Sequence, residues 1–231
     1  MQELKALVTG GGRGIGRAIC QRLAREGAAV AVAARTHAEV EAVAREVDAL
    51  GGEGSAIELD MSSRDSIRRA VEDAVHVLGG LDVLVNNAGI FEVAPLAELE
   101  EAAWERLLRI NLTGPFLATR AALPALLESR GVILNVSSVA GLQGFPGSTG
   151  YCATKYGLRG LGDALREELR ETGVRVATLY PGGTDTTIFD AVPGEWDRST
   201  MNTPEEVAEV AWEAIRGAGE QADWEVPNPR G

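Results

Sequence analysis

The feature that most constrains how this sequence folds is a glycine-rich segment between an apolar run and a helical pattern. The segment reads TGGGRGIG; it closes a predicted strand, Leu4–Thr9, and opens a predicted helix, Gly14–Glu26. Glycines at such a junction allow a tight turn, close approach of the backbone to a pyrophosphate, and close packing of helix on strand. We therefore predict a dinucleotide-binding turn. Its contact residues are Thr9, Gly10, Gly12, Arg13, Gly14, Ile15 and Gly16.

Short apolar runs and longer helical patterns alternate along the rest of the chain. Further strands are predicted at Ala28–Ala34, Ser55–Asp60, Leu81–Asn86, Val132–Ser137 and Val174–Tyr180. Further helices are predicted at Thr36–Leu50, Arg64–Leu78, a long pair over Leu99–Ser129, Tyr151–Thr172 and Pro204–Arg216. The strand runs lack an alternating polar face, which is typical of parallel strands covered by helices on both sides. The predicted fold is α/β: one domain over residues 1–231, a Rossmann-type doubly wound parallel sheet of six to seven strands.

Composition excludes several classes of partner. The formal net charge of -12 disfavours binding to nucleic acid or to an anionic membrane surface. No apolar run reaches the ~18 residues that a transmembrane helix requires, and the first residues leave no room for a signal peptide. The only two cysteines, Cys20 and Cys152, suggest neither a disulfide framework nor a metal site. We expect a cytoplasmic protein without a metal.

The end of the second predicted strand bears on the choice of dinucleotide. An NAD enzyme places a carboxylate there for the ribose hydroxyl, whereas an NADP enzyme uses a cation for the 2′-phosphate. This chain has Ala33, Ala34 and Arg35, and Arg13 lies in the glycine turn. A guanidinium offers several donors to a phosphate. We predict NADP(H) as the cofactor and keep NAD(H) as the alternative, because either arginine alone is also an ordinary surface charge.

The spacing TGxxxGIG resembles the opening signature of the short-chain dehydrogenase/reductase family, including its NADP-preferring members similar to 3-oxoacyl-ACP reductases. NNAG at Asn86–Gly89 matches a second family motif, and the turn after the sixth strand resembles the family's PG turn. The resemblance implies cofactor contacts beyond the glycine turn, at the adenine, at the NNAG turn and near the nicotinamide. These contacts are Arg35, Asp60, Met61, Asn87, Ala88, Gly89, Pro181, Gly182, Thr184 and Thr186.

Tyr151 and Lys155 are four residues apart in a helical pattern, so their side chains share one face. A neighbouring ammonium favours the phenolate, and we expect it to lower the pKa of Tyr151 toward neutrality. The pair alone is weak evidence for an active site, because an ordinary surface tyrosine and lysine often have the same spacing. Ser138, thirteen residues before Tyr151, follows the fifth predicted strand at the edge where such folds bind ligands.

The family resemblance implies a complete catalytic set: Asn111, Ser138, Tyr151 and Lys155. Ser138 and Tyr151 would hold the carbonyl oxygen, and Tyr151 would exchange the proton. Tyr151 and Lys155 would also contact the cofactor, and Asn111 would complete a proton relay. Asparagine is unfavourable in the middle of a helix, so Asn111 also predicts a local bend there. The neighbouring Ser137 is expected to pack or to bond the backbone.

A long connection, Gly182–Asn202, follows the sixth predicted strand and carries several apolar residues. We predict that it is a lid over the substrate. A partly apolar substrate pocket is expected from Leu142, Gln143, Phe145, Ile188, Phe189 and Trp196.

These features predict an NADP(H)-dependent oxidoreductase that interconverts a ketone or 3-oxoacyl carbonyl and an alcohol, with a small molecule as its substrate. An NAD(H)-using alcohol dehydrogenase of the same family and a dinucleotide-sensing protein without redox activity are alternatives. A nucleotide-sugar epimerase is disfavoured, because only about fifty residues follow Tyr180. The long helices around Asn111 and Tyr151 resemble those that pair in family dimers and tetramers, so we expect a homodimer or homotetramer. The short segment Ala222–Pro227 departs from the family's usual C-terminal strand.

Overall fold

Parallel strands form the centre of the molecule. The computed structural model describes residues 4–190, 192, 196–217 and 221–229. Within them, a sheet of seven strands has the order β3-β2-β1-β4-β5-β6-β7, and every neighbouring pair is parallel. The strands are β1 Lys5–Thr9, β2 Ala29–Ala34, β3 Glu53–Glu58, β4 Val83–Asn86, β5 Val132–Val136, β6 Arg175–Pro181 and β7 Asp223–Val226. The order reverses beside β1, as in doubly wound sheets.

Helices cover both faces of the sheet, so the predicted α/β architecture is confirmed. They are α1 Gly14–Ala24, α2 His37–Ala49, α3 Arg64–Leu78, α4 Glu101–Leu108, α5 Gly114–Ser129, α6 Thr149–Glu168 and α7 Pro204–Arg216. Helices α1, α2 and α7 share one buried cluster with alternate strand residues, for example Val8, whereas α3 and α5 share the other, for example with Leu7. Successive strand side chains point to opposite faces, which is why both faces need an apolar cover.

Strand β3 differs from its prediction. It begins at Glu53, two residues earlier than expected, and Glu53 N donates to Ala28 O at 3.1 Å. A Cβ at Gly54 would overlap Ala44 O, so only glycine lets α2 lie this close to the strand. The strand forms the edge of the sheet and its residues are partly exposed or exposed. The expectation of burial on both sides is therefore wrong for β3.

The predicted helix pair over 99–129 is a continuous helical run. Helices α4 and α5 are joined by one π-helical turn, Arg109–Thr113, which contains Asn111 at the expected bend. Pro115 has no N–H to donate to the Asn111 carbonyl four residues earlier, which removes one α-helical hydrogen bond at this point.

Two features of the C-terminal part decide how the sheet ends. Thr203 and Glu206 form a reciprocal capping box that starts α7 at Pro204, as predicted. The segment Ala222–Pro227 contains β7, a seventh strand beside β6. The predicted lid falls partly outside the described residues, at 191 and 193–195, and as a lid it stays a prediction. In the part of the chain that the structure describes, no helix is long and apolar enough to cross a membrane.

Candidate active site

The glycine turn is shaped by close approaches of backbone atoms. Gly10 and Gly14 adopt positive φ angles of 67° and 53°, which favour glycine. A Cβ at Gly16 would overlap Gly10 O, and one at Gly10 would lie 2.8 Å from Ala88 Cα. The start of α1 therefore closes onto the turn after β4, and larger residues would separate the two.

Thr9 and Asn87 hold the glycine turn and the NNAG turn together. The Thr9 hydroxyl donates to Val85 O at 3.1 Å and accepts from the N–H groups of Asn87 and Ala88 at 3.0 and 3.1 Å. The Asn87 side-chain amide donates to Thr9 O at 2.9 Å and to Gly10 O at 3.2 Å. The predicted contact residue Thr9 is thus buried inside this junction and does not line a cavity.

A cavity of about 280 Å³, which we name the cofactor cavity, lies over the carboxyl ends of the strands. It brings together most of the residues that the sequence predicted for the dinucleotide. Those lining it are Gly10, Gly12, Arg13, Gly14, Ile15, Gly16, Arg35, Asp60, Met61, Asn87, Ala88, Gly89, Tyr151, Lys155 and Thr186. Three others, Pro181, Gly182 and Thr184, line a second cavity instead.

The cofactor cavity contains charges of both signs near the end of β2. Neither Arg13 nor Arg35 forms an ion pair with another described residue. Hydrogen bonds from Ser62 lower the pKa of Asp60, and the nearby charge of Arg35 adds to this lowering. The cavity also has a carboxylate that the sequence analysis missed. Glu39 Oε2 would lie 3.2 Å from a Cβ at Gly12.

Tyr151 and Lys155 project from the first half of α6. Lys155 is 5% exposed; its Nζ donates to Val136 O at 2.9 Å and lies 5.6 Å from the centroid of the Tyr151 ring. Burial lowers the pKa of Lys155 to about 8. Burial also raises the pKa of Tyr151 to about 12, against a smaller lowering from its hydrogen bond with Ser138. The expected lowering of the Tyr151 pKa is therefore wrong for this structure, because desolvation outweighs the lowering effect of the nearby Ser138 hydroxyl.

The two adjacent serines after β5 have different partners. The Ser138 hydroxyl accepts from Ala140 N at 3.1 Å, and it lies close enough to the Tyr151 phenol to lower the pKa of that group. The Ser137 hydroxyl instead donates to Lys155 O at 3.1 Å. Ser138 is thus the serine that meets Tyr151, and Ser137 bonds the backbone of α6.

Asn111 lies beside Lys155 but uses its side chain elsewhere. Its Oδ1 accepts from Ile90 N and its Nδ2 donates to Ile90 O, both at 2.9 Å. A Cβ at Gly89 would lie 3.4 Å from Asn111 Oδ1 and 3.8 Å from Lys155 Nζ, so the two side chains converge on Gly89. The π turn at Asn111 therefore anchors the loop after NNAG next to the buried lysine.

A second cavity, of about 340 Å³, adjoins the cofactor cavity; we name it the substrate cavity. Ser138 and Tyr151 lie in its wall, and Tyr151 lines both cavities. Four of the predicted pocket residues line it, namely Phe145, Ile188, Phe189 and Trp196, whereas Leu142 and Gln143 do not. The two cavities therefore meet at Tyr151.

This geometry agrees with a family match over most of the chain. The family described as short chain dehydrogenase matches residues 4–195. The chain belongs to the short-chain dehydrogenase family. Members of this family are oxidoreductases that act on carbonyl or alcohol groups and bind a nicotinamide dinucleotide, and this chain is one of them.

Relatives of this short-chain dehydrogenase are named for different activities. A 3-oxoacyl-(acyl-carrier-protein) reductase of Thermotoga maritima is 35% identical over 213 residues, covering 88% of this chain and 87% of the relative. A 3-alpha-(or 20-beta)-hydroxysteroid dehydrogenase of Mycobacterium tuberculosis is 38% identical over 207 residues, covering 89% of this chain and 78% of the relative. The crystal structure of an alcohol dehydrogenase from Thermococcus sibiricus, complexed with 5-hydroxy-NADP, matches with a TM-score of 0.88 at 30% identity. The match covers 97% of this chain and 95% of the alcohol dehydrogenase chain.

Some residues of this short-chain dehydrogenase site escaped sequence reasoning. Phe91 lines the substrate cavity, and its signal was its place two residues after NNAG. Glu39 lies in the first turn of α2, close to Arg35 in sequence. Both contacts arise from loops and helix ends that turn toward the cavities, which a periodic pattern does not reveal.

Proposed function

We propose that this short-chain dehydrogenase is an NADP(H)-dependent oxidoreductase that reduces a ketone-type carbonyl, including the 3-oxoacyl type, or oxidises the corresponding alcohol. The observation that carries the proposal is the position of the Tyr151 side chain. It lines both cavities, with the Ser138 hydroxyl near its phenol and Lys155 beside its ring.

In the reductive direction, Ser138 and Tyr151 hold the carbonyl oxygen, and Tyr151 donates the proton that this oxygen gains. A nicotinamide dinucleotide supplies the hydride when bound. A raised pKa keeps Tyr151 protonated at neutral pH, which supports its role as a general acid. In the oxidative direction, the same phenol has to lose its proton first, so oxidation is expected to need higher pH than reduction.

Lys155 and Asn111 support Tyr151 in this proposal. With its pKa lowered to about 8, Lys155 remains mostly an ammonium at neutral pH. It donates to Val136 O and retains further N–H donors for the ribose of a dinucleotide. The freed carbonyl of Asn111 is proposed to hold a water that returns a proton toward Lys155. The absence of an N–H at Pro115 supports this last step.

The preference for NADP(H) rests on Arg13 and Arg35. Both guanidinium groups line the cofactor cavity without an ion-pair partner among the described residues, and no carboxylate ends β2. The space at the glycine turn, which side chains at these positions would occupy, fits a pyrophosphate. The similar alcohol dehydrogenase of Thermococcus sibiricus, whose structure is complexed with 5-hydroxy-NADP, is consistent with this choice. Glu39 is the observation that favours NAD(H) as the second candidate.

A steady-state comparison of NADPH and NADH tests the proposal. The native protein and Arg35→Asp are assayed with both nucleotides on a panel of carbonyl compounds. Arg45→Asp, at an exposed position on α2, is the matched control for the added charge. We expect Arg35→Asp to lower kcat/KM for NADPH by at least about tenfold, with a smaller change for NADH. An equal effect of both substitutions, or a native preference for NADH, contradicts the cofactor assignment.

We also propose self-association and a cytoplasmic setting. Large apolar side chains on α4, α5 and α6 are 36% to 43% exposed, namely Trp104, Phe116, Leu127 and Tyr156, which supports a homodimer or homotetramer. Both cysteines are free and buried, in keeping with a reducing compartment. Sedimentation velocity at several concentrations tests the first point, and a monomer throughout contradicts it.

A further inference from the structure

The substrate cavity carries no charge that a ligand can meet. Among the described residues that line it, none is Asp, Glu, Lys, Arg or His. In the segment after β6, Arg198 is paired with Asp185 and Asp190. A carboxylate, phosphate or ammonium group would lose its hydration here without compensation. The cavity therefore favours an uncharged molecule.

Two hydroxyl groups, those of Ser138 and Tyr151, stand together at one corner of this cavity. The Ser137 hydroxyl donates to Lys155 O, and the Thr184 hydroxyl donates to Gly182 O at 3.1 Å. Gly182 N donates to Val226 O, so this part of the backbone is also engaged. Ser138 and Tyr151 remain directed at the cavity, next to the cofactor cavity. One carbonyl oxygen satisfies this corner, and apart from the hydroxyls of Ser148 and Thr186 the rest of the ligand meets mostly apolar walls.

Aromatic rings form the wall closest to that corner. The Phe91 centroid is 4.7 Å from that of Tyr151, 5.8 Å from Phe189 and 5.9 Å from Trp196. The three Phe91 pairs are edge-to-face, with interplanar angles of 66°, 75° and 65°. Phe189 and Trp196 are themselves 4.9 Å apart. Such arrangements present ring faces and edges on which a flat ligand ring gains stacking contacts beyond its buried area.

The volume limits the size of the ligand. An engineered cavity of about 150 Å³ in another protein binds benzene, so about 340 Å³ accommodates one or two rings plus a carbonyl group. A flexible acyl thioester with its long polar arm would find few polar partners along these walls and would lose rotational freedom on binding.

We propose that the substrate is an uncharged ketone that carries one or two flat aromatic rings next to its carbonyl group. This inference rests on the proposed function. The product is the secondary alcohol: the carbonyl carbon gains a hydride from NADPH, which becomes NADP⁺, and the oxygen gains a proton from Tyr151. Phe91 and Trp196 are the residues that determine the preference for a ring.

Substrates matched in carbon number test the preference. Acetophenone and hexyl methyl ketone have the same number of carbons and differ in the flat ring. Ethyl benzoylacetate and benzoylacetate differ chiefly in charge. The N-acetylcysteamine thioester of acetoacetate represents the 3-oxoacyl class. We expect kcat/KM for acetophenone to exceed that for the alkyl ketone and the thioester by at least about tenfold, and the ester to exceed the free acid similarly.

Variants connect the preference to the aromatic wall. Phe91→Leu and Trp196→Leu are each expected to bring the ratio of aryl to alkyl kcat/KM close to one. Trp212→Leu is the matched control, because this ring lies on α7 under Arg22, at 5.0 Å, and lines neither cavity. It should leave the ratio unchanged. Binding of α-tetralone to the NADPH complex, followed by quenching of tryptophan fluorescence, gives a readout without turnover. Quenching should be lost in Trp196→Leu and kept in Trp212→Leu.

The outcomes separate this inference from the proposed function. Tyr151-dependent turnover in which the alkyl ketone or the thioester equals or exceeds acetophenone overturns the inference and leaves the reductase proposal intact. An aryl preference that survives in both wall variants also overturns it. No turnover of any carbonyl with NADPH overturns the proposed function, and the inference falls with it.

Discussion

Replacing Lys155 by methionine is expected to stabilise the protein while it removes activity. Methionine has a similar length and no charge. Lys155 is one of only two lysines in the chain, and it is 5% exposed. Its ammonium has one carbonyl partner, Val136 O, and faces the cofactor cavity. The folded protein therefore carries the cost of a buried charge that the proposed function requires.

The size of this cost follows from the lowered pKa. Burial lowers the pKa of Lys155 from 10.5 to about 8, and a tenfold change in proton affinity corresponds to about 1.4 kcal/mol. Below about pH 8, the buried ammonium therefore lowers the free energy of unfolding by about 3 kcal/mol. Between the folded and unfolded pKa values, only the unfolded chain keeps the proton, so stability rises with pH. Loss of the hydrogen bond to Val136 O offsets about 1 kcal/mol of the gain in the variant.

Urea unfolding at several pH values measures the effect. At about pH 7 we expect Lys155→Met to be more stable than the native protein by about 1 to 3 kcal/mol. At about pH 9.5 the difference should narrow by about 2 kcal/mol, because the native protein has by then released its proton. Lys5→Met is the matched control. The Lys5 ammonium donates to Gly79 O at the surface, so this variant should show no comparable pH dependence.

A difference between Lys155→Met and the native protein that stays constant across this range would refute the reasoning. An independent reading comes from ¹³C-labelled lysine. Only two side-chain signals are expected, which Lys5→Arg assigns, and the Lys155 signal should titrate near pH 8. Titration of that signal above pH 10 would show that the ammonium is not desolvated as the structure implies.

Three further outcomes are expected. Tyr151→Phe should lower kcat for carbonyl reduction by about 10² or more, because the proton donor is lost; a rate within threefold of native would contradict its role. Glu39→Gln should tighten NADPH binding by about two- to fivefold at low ionic strength, since a negative charge leaves the cavity that is proposed to hold the 2′-phosphate; fluorescence titration measures this, and weaker binding would place Glu39 among the favourable contacts. Thr203→Ala should cost about 1 kcal/mol in urea unfolding, because the Thr203 hydroxyl that accepts from Glu206 N in the α7 capping box is lost.

Lysine and tyrosine in this site illustrate a conflict between stability and activity. Both side chains are desolvated, and their pKa values move away from the protonation behaviour of the free amino acids. Burial of such groups for activity lowers the stability of the folded protein. The proposed role of Lys155 therefore predicts that substitutions which stabilise this region also reduce turnover.

Local patterns in the sequence were sufficient for much of the fold. The apolar runs, the glycine turn and the Thr203-Pro204 start of α7 act over a few residues, so each is readable without knowledge of the rest. The spacing of Tyr151 and Lys155 likewise places both on one helix face. Where the local rule failed, as at β3, the reason was global: an edge strand is only half covered, and its bounds depend on the register with β2.

The sequence by itself determined the order of the first six strands and of the helices between them, the glycine turn and the grouping of polar residues at strand ends, because these follow from periodicity and backbone preference; the seventh strand, β7, was not located from the sequence. Only the tertiary structure decided that Phe91 packs against Trp196, that Glu39 approaches Gly12, and that Thr9 is buried in a junction. The tertiary structure also decided the direction in which the Tyr151 pKa shifts. Contacts between remote segments depend on how helices pack, and desolvation depends on every atom around a group, so neither is encoded in a local pattern.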